Sequence, residues 1–191
     1  MSREQILDRA TEEFWTRGYR AASMNSLVRA IGATKASVYA EFGDKDGLFE
    51  AVLDHYAGHI VSEALRPLGD PLTGLAGIER YFLDLVVHAP TGQLQRGCLM
   101  TTTMTELGEA DRRFADRTRA HLDRVAEAFF GALCRARDRG ELARTVTDLP
   151  AAAAGLTTLA QGVWASARSG ADPTQLMDAV GAMIRSLGTA R

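Results

Sequence analysis

The chain has 191 residues, of which 46% are apolar and 24% charged, and a formal net charge of −2. That length gives one sizeable core or two small ones, and the balance is that of an ordinary globular chain rather than a disordered or polybasic one. No apolar run approaches the roughly 18 residues that cross a bilayer, and Met1-Ser2-Arg3-Glu4 leads straight into an amphipathic pattern with no signal-peptide core. A cytoplasmic protein without membrane contact is therefore expected.

Ala, Leu and Arg are plentiful and β-branched runs nearly absent, which favours helix. The first helix is predicted over Arg3 to Arg17, where Ile6, Leu7, Ala10, Phe14 and Trp15 recur at helical spacing and Gly18 ends the run. Ser23 is a good N-cap for a short second helix carrying Leu27, Val28 and Ile31, and Gly32 breaks it. Thr34 caps a third, Lys35 to Glu41, which buries Val38 and ends at Phe42-Gly43. Asp44 caps a long fourth helix with Leu48, Phe49, Val52, Leu53, Tyr56 and Ile60 inward, ending near Leu65 before Pro67 and Gly69.

Asp70-Pro71, Asp148-Leu149-Pro150 and Asp172-Pro173 each set a capping carboxylate ahead of a first-turn proline. Further helices are predicted over 71–88, 97–106, 111–139, 149–169 and 173–188, with His88 to Arg96 the most loop-like stretch. The long helix from Asp111 carries Phe114, Thr118, Leu122, Val125, Phe129, Leu133 and Ala136 as one stripe, and Gly140 closes it. The fold class is all-α with about nine helices.

Short second and third helices separated by a glycine turn suit a helix-turn-helix, in which one helix braces across the DNA backbone and the next enters the major groove. Leu27, Ile31, Val38 and Phe42 form its core. From Arg17 to Lys45 five basic residues (Arg17, Arg20, Arg29, Lys35, Lys45) face two acidic ones (Glu41, Asp44), a local surplus of three. The DNA-facing candidates are Asn25, Thr34, Lys35, Ala36, Ser37, Tyr39, Ala40 and Lys45. Lys35 suits a phosphate or guanine, Ser37 a base or phosphate, Tyr39 a phosphate, and Ala36 or Ala40 a thymine methyl. Lys45 stands beside helix amides that already favour an anion.

The ordered run ATKASVYAEFGDKDGLFEAV from Ala33 to Val52 resembles the N-terminal domain of the TetR family of regulators. The shared elements are Tyr39 and Phe42, then Lys45, Leu48 and Phe49, with Phe14, Gly18 and Tyr19 upstream. Val28 and Ile31 stand where such regulators often carry alanine, and Ala36 and Ala40 leave the operator sequence open. The resemblance implies a DNA-binding domain over residues 1–47, continuing into the fourth helix, and a helical ligand-binding and dimerisation domain over 48–191. The RGCLMTTTMTEL segment, Arg96 to Leu107, is similar to a helix pattern of one broad subset of that family.

The resemblance further implies double-stranded operator DNA, a small-molecule effector and a second copy of the chain as partners, and a ligand-responsive repressor. Candidate pocket residues are Tyr56, His59, Ile60, Phe82, Val86, Met100, Met104, His121, Val125, Phe129 and Trp164, whose Met and aromatic groups make adaptable walls. Leu156, Leu159, Ala160, Val163 and Trp164, then Leu176, Val180, Met183 and Ile184, form stripes suited to a four-helix dimer interface or to an ordinary core.

His55, His59 and Glu63 share one helical spacing, but no further strong ligand is identifiable elsewhere, so no metal or cofactor is expected. Cys98 and Cys134 form no CxxC pair; cytosolic thiols are expected, with Cys98 either packed or a redox sensor. Enzyme chemistry finds no GxSxG, phosphate loop or HExxH, and the sequence identifies no acid-base partner for Glu106 or His121. A helical adaptor that binds protein instead of DNA is the alternative reading.

Overall fold

A computed structural model of the chain describes residues 1–87, 93–108 and 111–189. The described residues form twelve α-helical segments, one π-helical segment and no strand, so the chain is all-α. The α-helical segments are α1 (Arg3–Arg17), α2 (Met24–Ile31), α3 (Lys35–Phe42), α4 (Lys45–Tyr56), α5 (Ser62–Ala64), α6 (Arg66–Gly69), α7 (Leu75–Val86), α8 (Gln93–Arg96), α9 (Leu99–Leu107), α10 (Arg112–Asp138), α11 (Leu149–Arg168) and α12 (Pro173–Leu187).

Packing divides the chain into two units, Met1–Val61 with Cys98–Ala120, and Ser62–Gly97 with His121–Arg191. The boundary falls later than one drawn after residue 47, because α4 packs on α1 and buries Leu48, Phe49, Val52 and Leu53 there. The first unit centres on an aromatic cluster in which the Phe49 ring lies 4.6 Å from Phe14, 4.9 Å from Tyr19 and 5.1 Å from Phe114. In the second, Phe129 sits 5.1 Å from Tyr81 and 5.8 Å from Phe82.

Local capping explains the starts of six helices. Ser2 and Gln5 form a reciprocal capping box on α1. Ser23, Thr34 and Asp44 accept the third amide of α2, α3 and α4, and Asp148 and Asp172 do the same for α11 and α12, each ahead of a first-turn proline.

Three expectations change. The predicted fourth helix is interrupted, since α4 ends at Tyr56 and residues Ala57–Val61 wind as a π-helix before the short α5 and α6. Asp70-Pro71 opens a turn, in which Asp70 accepts Leu72 N–H at 2.8 Å and Thr73 N–H bonds to the Asp70 carbonyl at 3.2 Å. Helix α7 starts only at Leu75, whose N–H finds the Glu141 carboxylate at 2.8 Å instead of a local cap. Gly74 makes that approach possible, because a Cβ there would stand 2.5 Å from Glu141 Oε2 and 2.6 Å from Ala136 Cα. Of the expected 88–96 loop, residues 88–92 lie outside the described residues and 93–96 form α8.

Candidate nucleic-acid interface

The α2–α3 pair is fixed from within. Leu27, Ile31 and Val38 are buried, and Gly32 takes the left-handed conformation (φ +75°) that the turn requires. Arg9 of α1 donates to the Ile31 carbonyl at 2.8 Å, satisfying the end of α2. Phe42 is only half-buried, with the Arg3 guanidinium 5.4 Å from its ring centre and bridged to Glu41 at 3.4 Å.

Outward from this core, Asn25, Thr34, Lys35, Ala36, Ser37, Tyr39 and Ala40 are all exposed. The Thr34 hydroxyl accepts Ser37 N–H at 3.2 Å, and the Ser37 hydroxyl donates to the Thr34 carbonyl at 2.8 Å. Both hydroxyls therefore serve the cap first and meet a partner with their remaining lone pairs. The Lys35 ammonium stands 5.6 Å from the Tyr39 ring centre, within cation–π range. The α3 face thus carries one cation, one phenol and two alanines on a capped N-terminus, a combination suited to phosphates and a closely approached groove wall.

Lys45 differs from the other DNA-facing candidates. It is half-buried, its ammonium 4.3 Å from the Tyr19 ring, and burial lowers its pKa against the opposing pull of Asp46 and Glu106. It braces the start of α4 as much as it extends the exposed face.

The surrounding polar frame was not visible in the local pattern. Glu106, near the end of α9, accepts Tyr19 N–H at 2.9 Å and Arg20 N–H at 2.6 Å. The Tyr19 phenol donates to Asp46, to which Arg113 also bridges; burial, and then that hydrogen bond, raise the phenol's pKa. Arg117 pairs with Asp54 at 2.9 Å and with Glu50 at 3.2 Å. Gly18 was the available signal for Glu106, since a Cβ there would lie 2.7 Å from its Oε2.

The pocket candidates divide between the units. In the first, Tyr56 is buried edge-on against Trp15 and its hydroxyl accepts Leu99 N–H at 3.3 Å. Met100 is buried, Ile60 and Met104 are half-buried, and the exposed His59 bonds to the His55 carbonyl at 3.0 Å. A groove of about 520 Å³ along α1 and α4 takes in His59 and no other candidate, and its charged walls include Arg3, Glu50, Asp54 and Arg117. In the second unit Phe82, Val86, Val125 and Phe129 are buried and His121 and Trp164 half-buried.

The dimer candidates need correction. Leu156, Ala160, Val163, Leu176, Val180 and Ile184 are already buried inside the single chain, so their apolar surface serves its own core. Leu159 and Trp164 are half-buried, and Met183 is the one left broadly exposed, at 52%. The opposite side of α11 carries Ala151, Ala154, Gly155, Thr158, Gly162 and Ala165, all exposed.

His55 pairs with Asp8 at 2.8 Å and Glu63 with Arg66 at 2.6 Å, so each has a partner of its own. No group of three or more metal-ligating side chains occurs among the described residues. Cys98 is buried and Cys134 half-buried, both as thiols. Among the described residues no helix is long and apolar enough to cross a membrane.

Comparison with known proteins converges on one family. The profile of bacterial regulatory proteins of the tetR family matches residues 6–52, and that of the tetracyclin repressor-like C-terminal domain matches residues 74–183. The HTH-type transcriptional repressor ComR of Escherichia coli (strain K12) is 32% identical over 187 residues, covering 96% of this chain and 87% of ComR. The repressor BdcR of the same organism is 27% identical over 174 residues, covering 91% of this chain and 82% of BdcR. Among solved structures, a cysteine mutant of the TetR family transcriptional regulator CifR, complexed with 26bp double-strand operator DNA, superposes with a TM-score of 0.86 at 26% identity and covers 97% of both chains. Exposed α3, its caps and these likenesses agree, and the chain belongs to the TetR family of DNA-binding transcriptional regulators, which are not enzymes.

Proposed function

We propose that the chain is a ligand-responsive repressor that binds a palindromic operator as a homodimer, with α3 of each copy in a major groove. The observation that carries this reading is the α3 face itself, a capped, exposed helix with Lys35 and Tyr39 beside Ala36 and Ala40. Thr34, Lys35, Ser37 and Tyr39 would hold phosphates, the two alanines would meet base edges, and Asn25 and Lys45 would flank them. ComR and BdcR are named as repressors, which supports repression here.

Two copies pair, in this reading, through the exposed side of α11 with Ala179, Ala182 and Met183 of α12. Small side chains allow close helix approach, and a Cβ at Gly155 or Gly162 would meet open space in the single chain. Two-fold symmetry then matches half-sites about one helical turn apart. The second unit would sense the effector, with Phe82, Val86, Val125 and Phe129 as apolar walls. An effector that binds better when the two α3 helices are wrongly spaced shifts the population away from DNA.

Selection from a random duplex pool, followed by footprinting, tests this directly. The expected product is an inverted repeat protected by two copies of the chain. Enrichment of no sequence over bulk duplex at any salt concentration would defeat it and favour the adaptor reading.

A further inference from the structure

The turn between α1 and α2 is the entry to the helix-turn-helix, and its backbone is held from a distance. Both oxygens of Glu106 are used, one on the Tyr19 amide at 2.9 Å and the other on the Arg20 amide at 2.6 Å. These are charge-assisted bonds from main-chain donors to a carboxylate, the stronger kind. Gly18 is needed twice over here, for its positive φ of +80° and because a Cβ would stand 2.7 Å from Oε2. Tyr19, directly after it, is anchored again through its phenol to Asp46 of α4.

Helix α9 is tied at its other end as well, where Leu99 N–H meets the Tyr56 hydroxyl of α4 at 3.3 Å. It therefore runs as a strut between the end of α4 and the entry of the helix-turn-helix. A helix of nine residues held at both ends would carry a shift of its axis to the turn it holds.

We propose that Glu106 is the positioning residue of DNA recognition, the latch through which α9 sets the angle at which α2 and α3 are presented. The inference rests on the reading that α3 enters the DNA, but its first readout does not depend on that reading. In Glu106→Gln one acceptor oxygen becomes an NH2 group facing a backbone N–H, so at least one of the two bonds is lost. Glu106→Ala removes both and leaves the amides to water, at a turn where Arg20 is already exposed.

The experiment combines amide hydrogen exchange with duplex binding for the wild type and both variants. Exchange at Tyr19 and Arg20 is expected to accelerate while Leu27, Ile31 and Val38 keep their protection. Operator affinity should fall by about tenfold or more. The loss should be least for duplexes whose half-sites are moved by one base pair, because a released helix-turn-helix is less particular about spacing. Unchanged exchange at Tyr19 and Arg20 in both variants overturns the proposal. So does an equal loss at every spacing accompanied by lost protection of Val38, which would mark Glu106 as a fold residue only. If the wild type binds no duplex, the function proposed above fails, and the exchange arm still decides whether Glu106 holds the turn.

Discussion

The outward faces of α3 and α11 both carry small side chains, and only on α3 does a cation lie among them. On α3, Ala36 and Ala40 lie beside Lys35, Tyr39 and a hydroxyl-capped N-terminus. On α11, Ala154, Gly155, Thr158, Gly162 and Ala165 form an exposed neutral ridge with no cation among them. The large apolar residues of both regions are spent inward, Leu27, Ile31 and Val38 in the first and Leu156, Val163 and Val180 in the second. In the function proposed above, these helices act through what is left outside, a charge pattern in one case and closeness of approach in the other.

Truncating the interior should affect the two regions alike. Phe49→Ala and Phe129→Ala each remove a ring at the centre of an aromatic cluster, with exposures of 1% and 0%. Each should cost about 3–5 kcal/mol in denaturant unfolding. A markedly smaller loss in one of them would show that its unit is loosely packed.

Changing the outer faces should separate them. Gly162→Glu sets a carboxylate on the ridge, meets open space within the single chain, and replaces a poor helix former. Sedimentation should then show monomers with the fold retained, and operator affinity should fall by about a hundredfold or more once two α3 helices no longer act together. A variant that remains dimeric would remove α11 from the interface. Asp148→Ala gives the smallest change, about 1 kcal/mol of stability from a lost cap on α11. Binding to DNA per folded dimer should be unaffected, as measured by titration at a temperature well below melting.

Much of this organisation is local and was therefore legible. The helix-turn-helix could be read because Ser23, Thr34, Asp44 and Gly32 act within a few residues of themselves, and the same holds for Asp148 and Asp172. Asp70-Pro71 follows the same local rule and failed, because the first amide of α7 is taken by Glu141, distant in sequence. Glu106 escaped for the same reason, as its partners Tyr19 and Arg20 also lie far off in the chain. In both cases a glycine, Gly74 or Gly18, marks where a remote carboxylate reaches backbone. The stripe on α11 and α12 stayed open between core and dimer interface because periodicity shows that a helix has an apolar face but not whether that face meets the same chain or another.

If α3 meets DNA through its exposed face, the salt dependence of operator affinity must register its cation. Log affinity should fall linearly with log salt for the wild type. In Lys35→Ala the slope should be shallower by about one for each phosphate that a lysine no longer neutralises, with stability unchanged. An identical slope and affinity in Lys35→Ala would mean that the one cation on α3 takes no part in binding, and that DNA is met elsewhere.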